Sequence, residues 1–188
     1  MMRKKPMLAY PVNNKPVDYS KPVFMQPKLD GVRCLIQAEK LPFDMGYEPI
    51  AYSRTGKEWK NIKHILVSLK PFFQLYPNAI LDGELYNHDF KDDFEQIISM
   101  VRKTKPTDED ILKSAENVQF HCYDIVDEDI SFEVRNSFIA TQVEPGRCIK
   151  HVPTISVSTE SHAKEYHQAN LDAGFEGSIL RTNDVYQC

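Results

Sequence analysis

The sequence predicts an α+β fold in which largely antiparallel sheets carry packed helices. Three observations lead there. Short apolar runs of strand length lie on each side of Asp30-Gly31 and again at 118–126, where Val118, Phe120 and Cys122 alternate with Gln119, His121 and Tyr123. Apolar residues at helical spacing appear elsewhere, at Ile62, Ile65, Leu66 and Leu69 and at Phe94, Ile97, Ile98 and Val101. Strands outnumber helices and the two alternate irregularly, which favours mixed antiparallel sheets over a regular βαβ repeat.

In chain order, residues 6–22 contain Pro6, Pro11, Pro16 and Pro22 and read as an extended lead-in. Asp30-Gly31 between two apolar runs predicts a hairpin turn, with Lys28 at its mouth and glycine supplying positive φ. Residues 39–48 read as a loop, followed by a short strand at Ile50–Ser53 and a helix from Asn61 that stops near Pro71. A strand at Ala79–Leu81 runs into Asp82-Gly83-Glu84, whose aspartate, like Asp30, is expected to shape a turn. Thr107 is placed to cap a helix over 108–116, with acids in its first turn. The strand at 118–126, a helix at Phe132–Ala140, one strand at Ile149–Val157 and a helix from Thr159 to Ala173 follow. Gly174 ends that helix, and a last strand runs from Phe175 to Arg181. Trp59 is expected to bury its ring at a helix entrance.

The 188 residues suffice for one large domain or two small ones. No run approaches the roughly 18 apolar residues of a membrane span, so no membrane partner is expected. The basic start, Arg3-Lys4-Lys5, leads into Pro11, Asn13 and Pro16 rather than an apolar core, so it is not a secretory signal. Cys34, Cys122, Cys148 and Cys188 form no Cys-x-x-Cys pair, which argues against a zinc site and suits a reducing, cytoplasmic setting. The net charge of −4 conceals an asymmetry: residues 1–70 carry 13 Lys/Arg against 6 Asp/Glu, and the rest carry 10 against 21. A basic first third could face phosphates, and a solvated uneven surface would read the same.

Lys28 is the residue with the most specific chemistry. As a nucleophile it must lose a proton, which at a reference pKa of about 10.4 costs roughly 4–5 kcal/mol at pH 7. Arg33 could ease that cost or grip a phosphate or ribose; the plain alternative is a solvated lysine on a surface turn. Four further stretches carry apt residues: Ser53-Arg54-Thr55-Gly56, Asp82-Gly83-Glu84, Phe120-His121-Cys122-Tyr123-Asp124 and Glu176-Gly177-Ser178-Ile179-Leu180-Arg181.

With Lys28-Leu29-Asp30-Gly31-Val32-Arg33, these five resemble, in order and spacing, motifs I, Ia, III, IIIa and IV of the covalent nucleotidyltransferases. The nearest resemblance is to compact viral or phage ATP-dependent DNA ligases. It implies an antiparallel-sheet, ATP-grasp-like core using ATP and Mg²⁺ on nicked duplex DNA. It implies that Lys28 takes AMP as a phosphoramidate, that Arg33 contacts the nucleotide ribose or the nick, and that Arg54 binds the nick phosphate. Glu84 and Glu176 would bind ribose hydroxyls or Mg²⁺, Tyr123 would stack on adenine, and Gln26 would read the adenine edge. The lesser alternative for Tyr123 is a strand aromatic that fills a core, and Asp124 has a structural and a catalytic role equally open to it. Relatives continue into a Lys-x-Lys motif V and an OB-fold domain. Neither follows Arg181 here, so residues 1–188 are expected to be an adenylation domain cut before motif V, slow to adenylylate and unable to seal nicks. An RNA ligase, a capping guanylyltransferase and a non-catalytic nucleotide- or nick-binding fragment are the alternatives.

Overall fold

The computed structural model describes residues 1–188, apart from the side chain of Asn14. After an irregular lead-in with one 3-10 turn at Val12–Asn14 come β1 (Val23–Lys28), β2 (Val32–Lys40), β3 (Tyr47–Tyr52) and α1 (Lys63–Leu75). Next are β4 (Ile80–Tyr86), α2 (Glu95–Val101), α3 (Asp108–Asn117), β5 (Gln119–Ile125) and α4 (Phe132–Gln142). The chain closes with β6 (Ile149–His151), β7 (Ile155–Val157), α5 (Glu160–Asp172) and β8 (Gly177–Thr182). The predicted α+β class holds, and every strand pairing is antiparallel except β5 with β6.

The strands form two sheets, a three-stranded one ordered β7-β1-β8 and a five-stranded one ordered β3-β2-β4-β5-β6. Alternation along the strands sorts the five-stranded sheet into two chemically distinct faces. Cys34, Ile36, Leu81, Leu85, Phe120 and Cys122 enter the main core with Ile65, Leu69 and Phe73 of α1 and Ile97 and Val101 of α2. Arg33, Asp82 and Glu84 have the opposite parity and belong to the other face, toward the small sheet. The small sheet keeps its own core of Val23, Met25, Val157 and Ala163, the last from α5.

Several sequence expectations change. Lys28 and Asp30-Gly31 do not form a hairpin, because β1 and β2 lie in different sheets and residues 29–31 are the crossover between them. Gly31 is not in the positive-φ region; it is needed because a Cβ there would lie 2.3 Å from the Leu85 carbonyl oxygen. The expected strand at Ile149–Val157 is two strands in two sheets, parted at Pro153, so residues 152–154 are the return crossover. The loop at 39–48 is shorter than expected, since β2 runs to Lys40 and β3 begins at Tyr47. The first helix does not stop near Pro71. Burial of Phe72 and Phe73 carries it to Leu75, and Val67, whose carbonyl loses its helical partner to the proline, is exposed. Asp82 shapes no turn; it is fully buried in the middle of β4.

Other expectations hold. Thr107 and Asp110 form a reciprocal capping box on α3, and Gly174 follows α5 at φ 88°. Trp59 is buried and its indole N–H donates to the Arg33 carbonyl at 3.1 Å. No helix is long and apolar enough to cross a membrane.

Across β4 and β5, Asp82 and Asp124 are register partners, and both carboxylates are wholly buried. Arg135 of α4, itself 1% exposed, grips Asp124 through Nε at 2.7 Å and Nη2 at 3.2 Å. Its Nη1 donates to the carbonyls of Ile130 and Asp184. Arg181 of β8 donates through Nη1 to Asp124 Oδ2 at 3.0 Å, the oxygen that Arg135 Nη2 also reaches, and so joins the two sheets. Removing one partner of such a buried pair typically costs about 3–5 kcal/mol, because the remaining charge has no water to turn to. Arg135→Met is therefore expected to lower unfolding free energy by about that amount. Urea titration of the two proteins checks it.

Candidate active site

The site lies where the crossover 29–31 brings the end of β1 beside β4. Lys28 is the last residue of β1, in register with Gly177, and its Nζ sits 2.7 Å from Oε1 of Glu176, the residue just before β8. Both side chains are about half exposed. The antiparallel β1–β8 pairing thus juxtaposes two residues that are far apart in sequence.

Arg33, Arg54 and Glu84 line one open recess of about 370 Å³, with Gly31, Ser53 and Trp59 among its walls. Arg54 reaches it from the turn after β3, which Gly56 closes at φ 85°. Glu84 is the register partner of Arg33 across β2 and β4. Arg33 holds Asp82 in a two-pronged pair, Nε to Oδ1 at 2.6 Å and Nη2 to Oδ2 at 2.7 Å. Such a fork fits a carboxylate better than a lysine would.

Tyr123 is joined to the same group: its hydroxyl donates to Oε2 of Glu84 at 3.3 Å. Burial, with Asp82 and Glu84 nearby, keeps its phenol well above the ordinary range, so it acts as a donor and not an anion. The guanidinium carbons of Arg33 and Arg181 lie 5.3 and 5.4 Å from its ring centroid. The aromatic surface expected to meet adenine is therefore in contact with two arginines. Gln26 is buried and its amide is engaged at both ends. Nε2 donates to the Tyr123 carbonyl at 3.1 Å and to Thr154 Oγ1 at 2.9 Å, while Oε1 accepts from Arg181 Nε at 3.1 Å.

All seven residues expected from the sequence thus fall into three adjoining arrangements. These are the Lys28–Glu176 pair, the recess of Arg33, Arg54 and Glu84, and the Gln26–Tyr123 contact behind it. The sequence reading missed Asp82, Arg181, Arg135 and Tyr186 as parts of this assembly. A signal existed for Arg135, which falls on the same helical stripe as Phe132 and Ile139, so a charge was bound for the core. Tyr186 had none, since residues 183–188 lack any periodic pattern.

Residues 6–187 match the model of a family described as the ATP dependent DNA ligase domain. The chain belongs to that family. No match is found among curated proteins. Solved structures similar to this ligase domain include one from a study of Lig E DNA ligases, at 19% identity and a TM-score of 0.70 over 99% of this chain and 65% of the other. The ATP-dependent DNA ligase of bacteriophage T7, solved with ATP, is 15% identical with a TM-score of 0.71, covering 97% of this chain and 63% of the other. A Chlorella virus DNA ligase-adenylate is 18% identical with a TM-score of 0.63, covering 97% and 61%. At these identities the likeness concerns the fold. The chain spans under two thirds of the length of each of these structures.

Burial pushes the Glu84 carboxyl up to about 8 from 4.5, Asp82 adding to the rise and Arg33 opposing it. Between those values the folded domain holds a proton that the unfolded chain has released. Stability contributed by this group is therefore present below pH 4.5 and lost as pH rises toward 8. Glu84→Gln, which cannot ionise, should match wild type near pH 5 and exceed it above pH 8. Urea midpoints of both proteins across that interval check the difference.

Proposed function

We propose that this domain transfers AMP from ATP to Lys28 and, within the whole protein, passes it to the 5′-phosphate at a nick in duplex DNA for sealing. The observation that carries this reading is the placement of Lys28 against Glu176, beside a recess edged by Arg33, Arg54 and Glu84. In the first step the Lys28 nitrogen forms a bond to the α-phosphorus, the bond to the bridging oxygen breaks, and pyrophosphate leaves with that electron pair. Two protons go to solvent, one from the ammonium before attack and one from the nitrogen once it is bonded to phosphorus. An ammonium has no free electron pair, so Lys28 attacks only after it has given up a proton and with it the ion pair to Glu176.

No group of three or more His, Cys, Asp or Glu side chains suited to a metal occurs among the described residues. Mg²⁺ typically takes one or two carboxylates and completes its shell with water and substrate phosphates, which suits two separate glutamates beside the recess. Glu176 and Glu84 would hold it, and the ion would supply charge neutralisation on the phosphates. A Glu84 carboxyl that is mostly protonated at neutral pH must lose its proton to serve. Arg54, exposed at the mouth of the recess, is suited to a terminal phosphate. Adenine would stack on Tyr123 and meet Gln26 by taking the place of Arg181 over the ring, Arg33 being tied to Asp82, and the displaced Arg181 would be free for phosphate.

Incubation with ATP and Mg²⁺ followed by intact-mass measurement should show a gain of one AMP, reversed by pyrophosphate. Lys28→Ala should show none, and neither should Lys28→Arg, whose guanidinium stays protonated. An adduct retained in either variant places the nucleophile elsewhere. Labelling by GTP in place of ATP would turn the reading to a capping guanylyltransferase. Joining of a nicked duplex against nicked RNA, assayed with the longer parent protein, checks the choice of polynucleotide.

A further inference from the structure

Arg33 is held by far more than its carboxylate partner. Asp82 takes Nε and Nη2, and Nη2 also donates to the Met7 carbonyl at 2.9 Å. The Tyr186 hydroxyl donates to Asp82 Oδ2 at 2.6 Å and accepts the Met7 backbone N–H at 2.8 Å. These contacts close a ring: Tyr186 to Asp82, Asp82 to Arg33, Arg33 to Met7, and Met7 back to Tyr186. Tyr186 is 1% exposed, and its own N–H is fixed to the Asp127 carbonyl at 3.1 Å. The Arg33 backbone is pinned as well, by Trp59 Nε1 on its carbonyl. Among the described residues, Nη1 is the one guanidinium nitrogen of Arg33 without a hydrogen-bond partner, and Arg33 lines the recess.

We infer that Tyr186 and the Met7 peptide are positioning groups for Arg33, fixing its guanidinium so that Nη1 alone is offered to an oxygen of the bound nucleotide. The inference rests on the proposed nucleotide reading and deepens it. One phenolic oxygen serves both halves of the ring. It supplies the second donor to a carboxylate oxygen that no water reaches, and it is the acceptor that holds the Met7 amide. Without it Asp82 is under-satisfied, Met7 is released, and its carbonyl no longer shares Nη2. The fork is then free to turn about its remaining contacts, and Nη1 loses its direction. The lead-in, irregular by its prolines, thereby takes part in the site through its backbone, which no side-chain pattern in residues 6–22 reports. Phenylalanine at 186 would preserve the ring and its packing while removing both hydrogen bonds.

The test measures ATP affinity by calorimetry in the Lys28→Ala chain, which cannot go on to form the adduct, with melting temperatures recorded alongside. Adding Tyr186→Phe should weaken ATP binding about tenfold, the scale of one lost hydrogen bond to a charged group. Adding Arg33→Ala should weaken it at least as much. With both present, Tyr186→Phe should add nothing further to the loss in affinity, although it still lowers the melting temperature. Met7→Pro, which removes the N–H from the ring and leaves the carbonyl, should give a smaller loss that again vanishes in the Arg33→Ala chain. Unchanged affinity on Tyr186→Phe, or an equal loss with and without Arg33, would overturn the positioning role and leave a merely structural tyrosine. Absence of ATP binding by the Lys28→Ala chain itself would overturn the nucleotide reading and this inference with it.

Discussion

Two carboxylates that no water reaches, Asp82 and Asp124, stand side by side on neighbouring strands, and much of the molecule is arranged to satisfy them. Like charges at such spacing in a low-dielectric interior are tolerable only with dedicated counter-charges. Three arginines supply these from three elements: Arg33 from β2, Arg135 from α4 and Arg181 from β8. Because Arg181 belongs to the small sheet and Asp124 to the large one, the demand for neutrality also fixes how one sheet sits on the other. Buried pairs of this kind add little net stability over apolar packing, since desolvation offsets most of the attraction. Their effect here is on register: a shift of β8 by one residue would turn Arg181 to the opposite face and strand Asp124 with Arg135 alone.

The same arginines crowd the recess proposed for the nucleotide. Arg33 and Arg181 touch the ring of Tyr123, and Arg181 also occupies the acceptor of Gln26. On the proposed reading a base would exchange one cation–aromatic contact for a stacking contact of similar worth, and the gain would come from what the displaced Arg181 then found on the phosphates. Glu84 follows the same logic. Burial makes its charge costly, so the binding of a cation proposed there would be linked to proton release.

Lys28, Glu176, Arg54 and Glu84 were legible because each lies in a short motif whose spacing survives any rearrangement of the strands between. The alternation at 118–126 and the cap at Thr107 were legible because local chemistry decides them. What local signals could not reveal was which strand pairs with which. Asp30-Gly31 has the chemistry of a hairpin turn, yet the chain there leaves one sheet for another, and glycine is required by the nearby Leu85 carbonyl rather than by φ. Pro153 likewise marked a break without saying that the two halves part company. Asp82 looked like a turn residue because Asp-Gly usually is one; only the three donors around it show why an acid can stand in mid-strand.

The division of the strands between the sheets has a consequence for how the domain comes into being. The large sheet is made of one continuous stretch, residues 32–151, whereas the small sheet joins β1 to strands contributed only after residue 154. During synthesis, β1 and its lysine leave the ribosome first and have no partner strand until β7 and β8 emerge. The large sheet can meanwhile assemble from contacts closer in sequence, which form sooner because less chain entropy is lost in closing them. Arg33 and Glu84 would then be in place well before Lys28 meets Glu176. The Lys28–Glu176 pairing on which the proposed chemistry depends would be among the last contacts made.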